Sequence, residues 1–410
     1  MPIKFLFSAQ NKAIDNKPSS YQCHLKKSFS GNLRGRLLSK TNLNPVAETD
    51  RAWVSEAIDQ AVRRVQKIDG VVVDFPHITE KKQWKFTPDG VWTGGFWAGL
   101  LWLAYERSGD AATLERAIHF TDRLLPRADD SNNHDLGFMF VPSAIKGWQL
   151  KGNEQYRLAA IQAARALAGQ YIPEAGYIPG WGFFGGEDWS GNVLVDTLMN
   201  LPLIVWAVDQ GAEPELLDVV RGQAGKTLRH IVRDNGSVYH MFRFAPGTGE
   251  PIAGDTYQGH APETTWARGQ AWAIAGFAML AGMLKDDEYL KASECAAAYF
   301  LDQLPGDGVP PWDFQAPDDL PYKDASAGAI ASFGLIKLYD VTGNRSYLDT
   351  ASRLLYALFD TCANDQDEGG LLLHSTADLP HGLGIDESAM YGDYYYLKAL
   401  MRLQQRLSTT

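Results

Sequence analysis

Two aspartates occupy matching positions in this chain. Asp135 stands near the start of HDLGFMF, residues 134–140, behind a polar loop. Asp196 stands near the start of VDTLMNLP, residues 195–202, behind the glycine-rich stretch 180–191. A carboxylate at a loop-to-helix junction on an apolar helix face ends at the rim of a core. Desolvation there favours the protonated acid and suits it to general acid catalysis. Taken singly, either aspartate is better explained as a helix N-cap or a first-turn acid stabilising the helix dipole. Two together, with aromatics and an Arg–Gln cluster downstream, shift the reading toward chemistry.

The loops at residues 90–97, 133–140, 181–196, 258–272, 310–324 and 374–393, together with His240, are rich in Trp, Gly, Asp and His. Aromatic faces beside carboxylates suit a sugar: the rings pack on pyranose C–H faces and the carboxylates accept hydroxyl protons. Trp102 and Trp206 fall mid-helix and read as core. Trp92, Trp181, Trp266 and Trp312 fall in loops or at helix starts and are candidates for the site. Arg268 starts a helix that soon becomes wholly apolar. A cation there is either ion-paired to an acid or clamps a substrate carboxylate with its planar fork. His240 and Gln258 supply further donors. The nine histidines show no HExxH or other ligand spacing, so neither metal nor cofactor is expected.

These loops need a scaffold that gathers them. From residue 51 onward, segments of helical period alternate with turn-forming loops, and twelve helices are predicted. Residues 136–151 and 194–209 are among them. Charged amphipathic segments such as TLERAIHFTDRLL and RSYLDTASRLLYALF alternate with segments apolar nearly all round, such as FWAGLLWLAY and WAIAGFAMLAGM. The first kind suits outer helices with one wet face, the second buried inner helices. Six such pairs predict an all-α fold, an (α/α)6 barrel whose inner-helix starts line one cleft. An open solenoid would need a recurring short repeat, and none is seen. The best strand signal, residues 237–244, predicts a short β-hairpin in a cleft loop.

Whole-chain properties narrow the function further. A length of 410 residues with 45% apolar content and 12 Trp suits a large buried core. The formal net charge of −11 argues against a nucleic-acid partner and requires a local cation for an anionic substrate. No apolar run reaches membrane-spanning length. Three widely spaced cysteines make no disulfide framework, which with the absence of a signal-peptide pattern predicts a cytoplasmic protein. Residues 1–50 carry eight Lys/Arg against three Asp/Glu without periodicity, and are expected to be a disordered tail ahead of the domain at 51–410.

The motifs HDLGFMF, DTLMNLPLIVWA, TWARGQAWAIAGFA and DESAMYGDYYYLKALMRL resemble the unsaturated glucuronyl hydrolases of glycoside hydrolase family 88. The resemblance spans the whole helical part, and the related unsaturated rhamnogalacturonyl hydrolases are its nearest competitor. It implies an enzyme that removes a 4,5-unsaturated uronic acid from the non-reducing end of lyase-generated oligosaccharides, with no metal. It implies Asp196 as general acid and base and Asp135 as its essential neighbour. Trp92, His134, His240, Gln258, Trp266, Arg268 and Trp272 are then substrate-binding. The implied chemistry protonates C4 of a vinyl ether and adds water at C5; the hemiketal opens and expels the aglycone. One carboxyl serves both steps. Residues 370–384 match a region where some relatives bind sulfate, but offer Ser375 and Thr376 without Lys or Arg. A monomer or weak homo-oligomer is expected. A non-catalytic carbohydrate-binding barrel and a sugar epimerase are the other readings; the epimerase would need paired histidines that the loops do not show.

Overall fold

In helix α1 (Ala52–Asp69) Val54, Ala57, Ile58, Ala61, Val62, Val65 and Ile68 are buried. That spacing is one face of a 3.6-residue helix, and the other face keeps most of its charges in water, while Arg64 is buried against the Gly369 and Gly370 carbonyls. Helix α2 (Gly94–Ser108) differs: every residue from Gly94 to Ala104 is buried. A segment with no polar stripe must be enclosed on all sides. This contrast sorts the twelve helices of the computed structural model, which describes residues 52–180 and 190–409.

The outer helices are α1, α3 (Ala111–Leu124), α5 (Glu154–Gly169), α7 (Leu216–His230), α9 (Asp287–Gln303) and α11 (Arg345–Thr361). Four of them, α3, α5, α9 and α11, begin at a side-chain cap: Asp110, Asn153, Asp286 and Asn344 each accept a first-turn amide hydrogen bond. The inner helices are α2, α4 (residues 136–151), α6 (Leu201–Asp209), α8 (Ala267–Leu284), α10 (Ala325–Thr342) and α12 (Met390–Ser408). Each inner helix packs on the next, and α12 returns to α2, so the ring closes. The chain forms the expected (α/α)6 barrel, not a solenoid. Among the inner helices only α10 has a side-chain cap, from Asp324.

Two predicted helices are interrupted. Helix α4 runs from Leu136–Phe140 through a π turn, Val141–Ile145, into Lys146–Lys151. Pro142 has no N–H to donate to the preceding turn, and the wider turn accommodates it. The segment predicted as one helix over 194–209 is instead strand end, 3₁₀ turn (Val195–Met199) and α6. Pro202 sits in the first turn of α6, where its missing N–H costs nothing.

Strands β3 (Asn192–Leu194), β4 (Met241–Phe244) and β5 (Pro251–Asp255) form an antiparallel sheet in that order. The β4–β5 pair is the expected hairpin, its first strand shorter than the stretch 237–244. A second hairpin, β1 (Phe75–Glu80) with β2 (Gln83–Thr87), was not expected. It turns through Lys81 and Lys82 at φ 51° and 63°. Left-handed turn residues are usually Gly, Asn or Asp, so a Lys–Lys turn leaves no readable signal. The expected tail at 1–50 and the candidate Trp181 lie outside the described residues.

Candidate active site

Asp135 occupies the N-cap position of α4 and Asp196 the first turn of the 3₁₀ helix, yet neither start has a side-chain cap hydrogen bond. The helix-capping explanation therefore fails for Asp135, while Asp196 does hold a first-turn position. What joins them is Asn200. Its Nδ2 donates to Asp135 Oδ1 at 3.0 Å, and its Oδ1 accepts the Phe138 amide at 2.7 Å. Gly137 makes that approach possible: a Cβ there would stand 2.3 Å from Asn200 Cα. From the other side, the Val195 amide donates to the His240 carbonyl at 3.0 Å, and Leu194 pairs with Met241 across β3 and β4.

His134 lies between the carboxylates. Its Nε2 is 3.4 Å from Asp135 Oδ1 and 3.6 Å from Asp196 Oδ1. The two aspartates keep 14% and 16% of their side-chain surface against 6% for His134, so the acids, not the imidazole, face the cleft. Burial opposes charge on His134, but Asp135 and Asp196 outweigh it and hold its pKa up at about 9. Burial pushes Asp135 above the usual carboxylate range, aided by Asp196 and opposed by His134 and Asn200. Asp196 Oδ1 is buried, and its near neighbour is the His134 imidazole.

Across the site, His240 Nδ1 accepts the amides of Tyr257 at 3.1 Å and Gln258 at 3.2 Å. The ring proton must then sit on Nε2. Burial lowers the His240 pKa to about 4, with Asp196 and Asp255 opposing that shift and Arg268 adding to it. His240 is therefore a neutral N–H donor, and its Nε2 is buried without a partner. The Trp266 indole Nε1 is also buried without a partner, and its ring lies 4.4 Å from the His240 ring. Buried polar groups are nearly always paired. Two such donors, His240 Nε2 and Trp266 Nε1, lie side by side here.

Arg268 is 2% exposed and bonded to the protein itself. It donates to Asp324 Oδ2 at 2.6 Å, to the Thr376 carbonyl at 2.8 Å and to the Ala377 carbonyl. Its guanidinium lies 4.4 Å from the Trp266 ring and 4.8 Å from the Tyr391 ring. Of the two readings of Arg268, the geometry is that of a buried ion pair. Gln258 Nε2 donates to the same Ala377 carbonyl at 3.2 Å, and its own carbonyl accepts Trp312 Nε1 at 2.8 Å.

Trp92 forms a wall. Its ring stacks on Tyr391 at 5.3 Å and 17°, and meets Phe138 at 5.8 Å. The preceding Val91 has φ 39°, a strained value for a β-branched residue, and its carbonyl is held by Arg127 at 2.8 Å. Trp272 and Trp312 are each 1% exposed. Trp272 packs under Phe138 at 5.0 Å, supporting the floor. Ser375 and Thr376 are buried too, and the Thr376 hydroxyl donates to the Lys323 carbonyl at 2.8 Å.

The sequence motifs contain Asn200, Phe138 and Tyr391, but nothing in their spacing singles those residues out. An Asn at a helix start reads as a cap, and no local signal shows that its amide instead bridges to another helix. Among the described residues no group of three or more His, Cys, Asp or Glu could hold a metal ion.

The family model for Glycosyl Hydrolase Family 88 matches residues 57–399. The chain belongs to glycosyl hydrolase family 88. It is 35% identical over 366 residues to the unsaturated glucuronyl hydrolase of Bacillus sp. (strain GL1), covering 86% of this chain and 96% of that one. It is 35% identical over 363 residues to the unsaturated chondroitin disaccharide hydrolase of Streptococcus pyogenes serotype M1, covering 85% and 90%. The crystal structure of the unsaturated glucuronyl hydrolase from Bacillus sp. GL1 superposes with a TM-score of 0.82 at 34% identity, over 87% of this chain and 98% of that one. The family member described here is thus a glycosidase on an (α/α)6 barrel.

Proposed function

We propose that this family 88 enzyme hydrates the C4=C5 bond of a terminal unsaturated uronic acid and thereby releases it from an oligosaccharide. The observation that carries the reading is Asp196: a cleft carboxylate backed by His134 at 3.6 Å, in a site with two unpartnered N–H donors, His240 Nε2 and Trp266 Nε1. Asp196 delivers its proton to C4, which leaves oxocarbenium character at C5. The same carboxylate then takes a proton from the water that adds at C5. The hemiketal opens and the aglycone leaves. Asp135, fixed by Asn200, lies beside it and stabilises the positive charge that develops on the ring.

His240 Nε2 and Trp266 Nε1 donate to the sugar ring, and Trp92 packs on its face. Arg268 acts at one remove: it positions Trp266 and the Thr376–Ala377 segment, and its field is felt at His240. His134 is a positioning residue too, since it lies behind both acids rather than in front of them. No described helix is long and apolar enough to cross a membrane. From the three widely spaced cysteines, which make no disulfide framework, we place the enzyme in the cytoplasm, and expect a monomer or weak homo-oligomer.

The test follows the substrate's ultraviolet absorbance, because hydration destroys the conjugated double bond. Unsaturated chondroitin, hyaluronan and heparin disaccharides form the panel. Wild type should bleach at least one. Asp196→Asn should fold normally and lose ~10²–10⁴-fold in turnover, the usual worth of general acid–base catalysis. Retention of more than roughly a tenth of the activity contradicts the assignment, since that loss falls below this range. Binding without bleaching by wild type would favour a carbohydrate-binding barrel instead.

A further inference from the structure

The end of the barrel away from the aspartates carries a charge that hydrolysis does not use. Lys398 is the ninth residue of the nineteen-residue helix α12. Tyr391, which stacks on Trp92, lies two turns earlier, so Lys398 sits roughly 10 Å deeper along the helix. Its Nζ is 4.7 Å from the Phe333 centroid, 4.9 Å from Tyr394 and 5.5 Å from Tyr395. Tyr395 in turn packs on Trp272 at 5.4 Å. One layer of rings therefore separates Lys398 from the site floor.

The neighbours of this ammonium are unusual. The charges acting on it belong to Lys337, Arg402 and Lys146, all cations. Lys146 pairs with Glu106 at 2.8 Å and Lys337 with Asp340 at 3.4 Å, while Arg402 donates to the Gln405 amide oxygen at 3.2 Å. Asp340 also receives Arg406 at 2.6 Å. Among the described residues no carboxylate pairs with Lys398. Five cations against two acids is a local excess in a chain whose net charge is −11. Lys146, Lys337, Arg402 and Arg406 lie in the second halves of inner helices, where they complement the helix dipoles. Lys398 is mid-helix and has no such reason. Aromatic faces attract an ammonium, but less than its desolvation costs.

We propose that this end of the barrel binds a small tetrahedral oxyanion, phosphate or sulfate, held by Lys398 together with Lys337, Lys146 and Arg402. Lys398 keeps part of its surface exposed, which gives a small ion access to it; the separate cavity between α8, α9 and α10 is lined by Lys337 together with Asp286, Asp287 and Asp340. Burial first, and then the neighbouring cations, put the Lys398 pKa well below the ordinary lysine value. A bound anion reverses that balance and favours the charged amine. Anion uptake is accordingly coupled to proton uptake, and affinity rises as pH falls.

The experiment is thermal unfolding of the full chain in sodium phosphate, sodium sulfate, a sulfated monosaccharide and sodium chloride at matched ionic strength. Wild type should show a saturable rise in Tm with phosphate or sulfate beyond that in chloride. Lys398→Met keeps the chain length and the ring packing but removes the charge. It should bind the oxyanion roughly tenfold or more weakly, and its hydrolytic turnover should be unchanged. Arg402→Gln, a milder change, should weaken binding in the same direction. Titration calorimetry in two buffers of different ionisation enthalpy should show proton uptake by wild type. A rise with the inorganic salts alone identifies a free ion as the ligand, and a rise with the sulfated sugar as well extends the site to sulfate esters. General salting-out would raise both proteins equally. Equal increments in wild type and Lys398→Met, or none in wild type, overturn the proposal.

Discussion

At the scale of residues, the site works by dividing protonation states among groups that touch. His134 titrates at 6.5 by default and at about 9 in the fold. Its ion pairing therefore stabilises the protein in full below pH 6.5, and that contribution fades as pH rises toward 9. The stability advantage of wild type over His134→Gln should shrink between about pH 6 and about pH 9.5. A constant difference in Tm across that range contradicts the bridging role. Kinetics give an independent reading. Removing a positioning residue should lower kcat with little change in KM, whereas removing a group that binds the substrate directly should raise KM. His240 presents the opposite case: burial holds it neutral, and two backbone amides fix its proton on Nε2.

At the scale of elements, the inner-helix starts are held by interactions that capping rules do not describe. Gly137→Ala places a methyl against the Asn200 backbone, so α4 and the 3₁₀ turn must part. Overpacking of this kind costs about 1–3 kcal/mol. Turnover should fall further than stability, because Asp135 and Asp196 separate. Denaturant unfolding with assays of the surviving fold measures both; full activity in a destabilised protein contradicts this account. Arg268 ties α8 to the cap of α10 and to residues 376–377. Arg268→Ala leaves Asp324 buried and unpaired, at a cost of about 3–5 kcal/mol. Arg268→Leu combined with Asp324→Asn should recover much of that stability. If Arg268→Ala raises KM about tenfold without loss of Tm, the guanidinium is a direct carboxylate clamp instead.

At the scale of the whole molecule, ring closure gathers six helix starts into one mouth. The family match begins at residue 57, and residues 1–50 are polar, basic and aperiodic. Deleting residues 1–49 should leave Tm and turnover unchanged. A clear fall in Tm would show that this stretch contributes to the barrel. The acidic surface also sets the ionic conditions of catalysis. An anionic substrate approaches against the global field, so added salt within the Debye regime should favour association.

The sequence alone determined the helical fold and singled out two candidate acids. Helical period and the wet-or-dry character of each segment are local properties: FWAGLLWLAY has no polar face wherever it is placed. Asp135 and Asp196 could be picked out because each begins an apolar run, and the resemblance supplied their pairing. The tertiary structure decided what those residues do to one another. Asn200 lies 65 positions from Asp135, and His134 is 62 positions from Asp196, so neither interaction has a sequence period to betray it. Lys81–Lys82 hid a turn because left-handed backbone was imposed by strand pairing, not by residue type. Arg268 stayed ambiguous in the sequence because a buried cation needs an acid but does not say which one. Asp324, 56 residues on, became that acid only when α8 and α10 packed side by side.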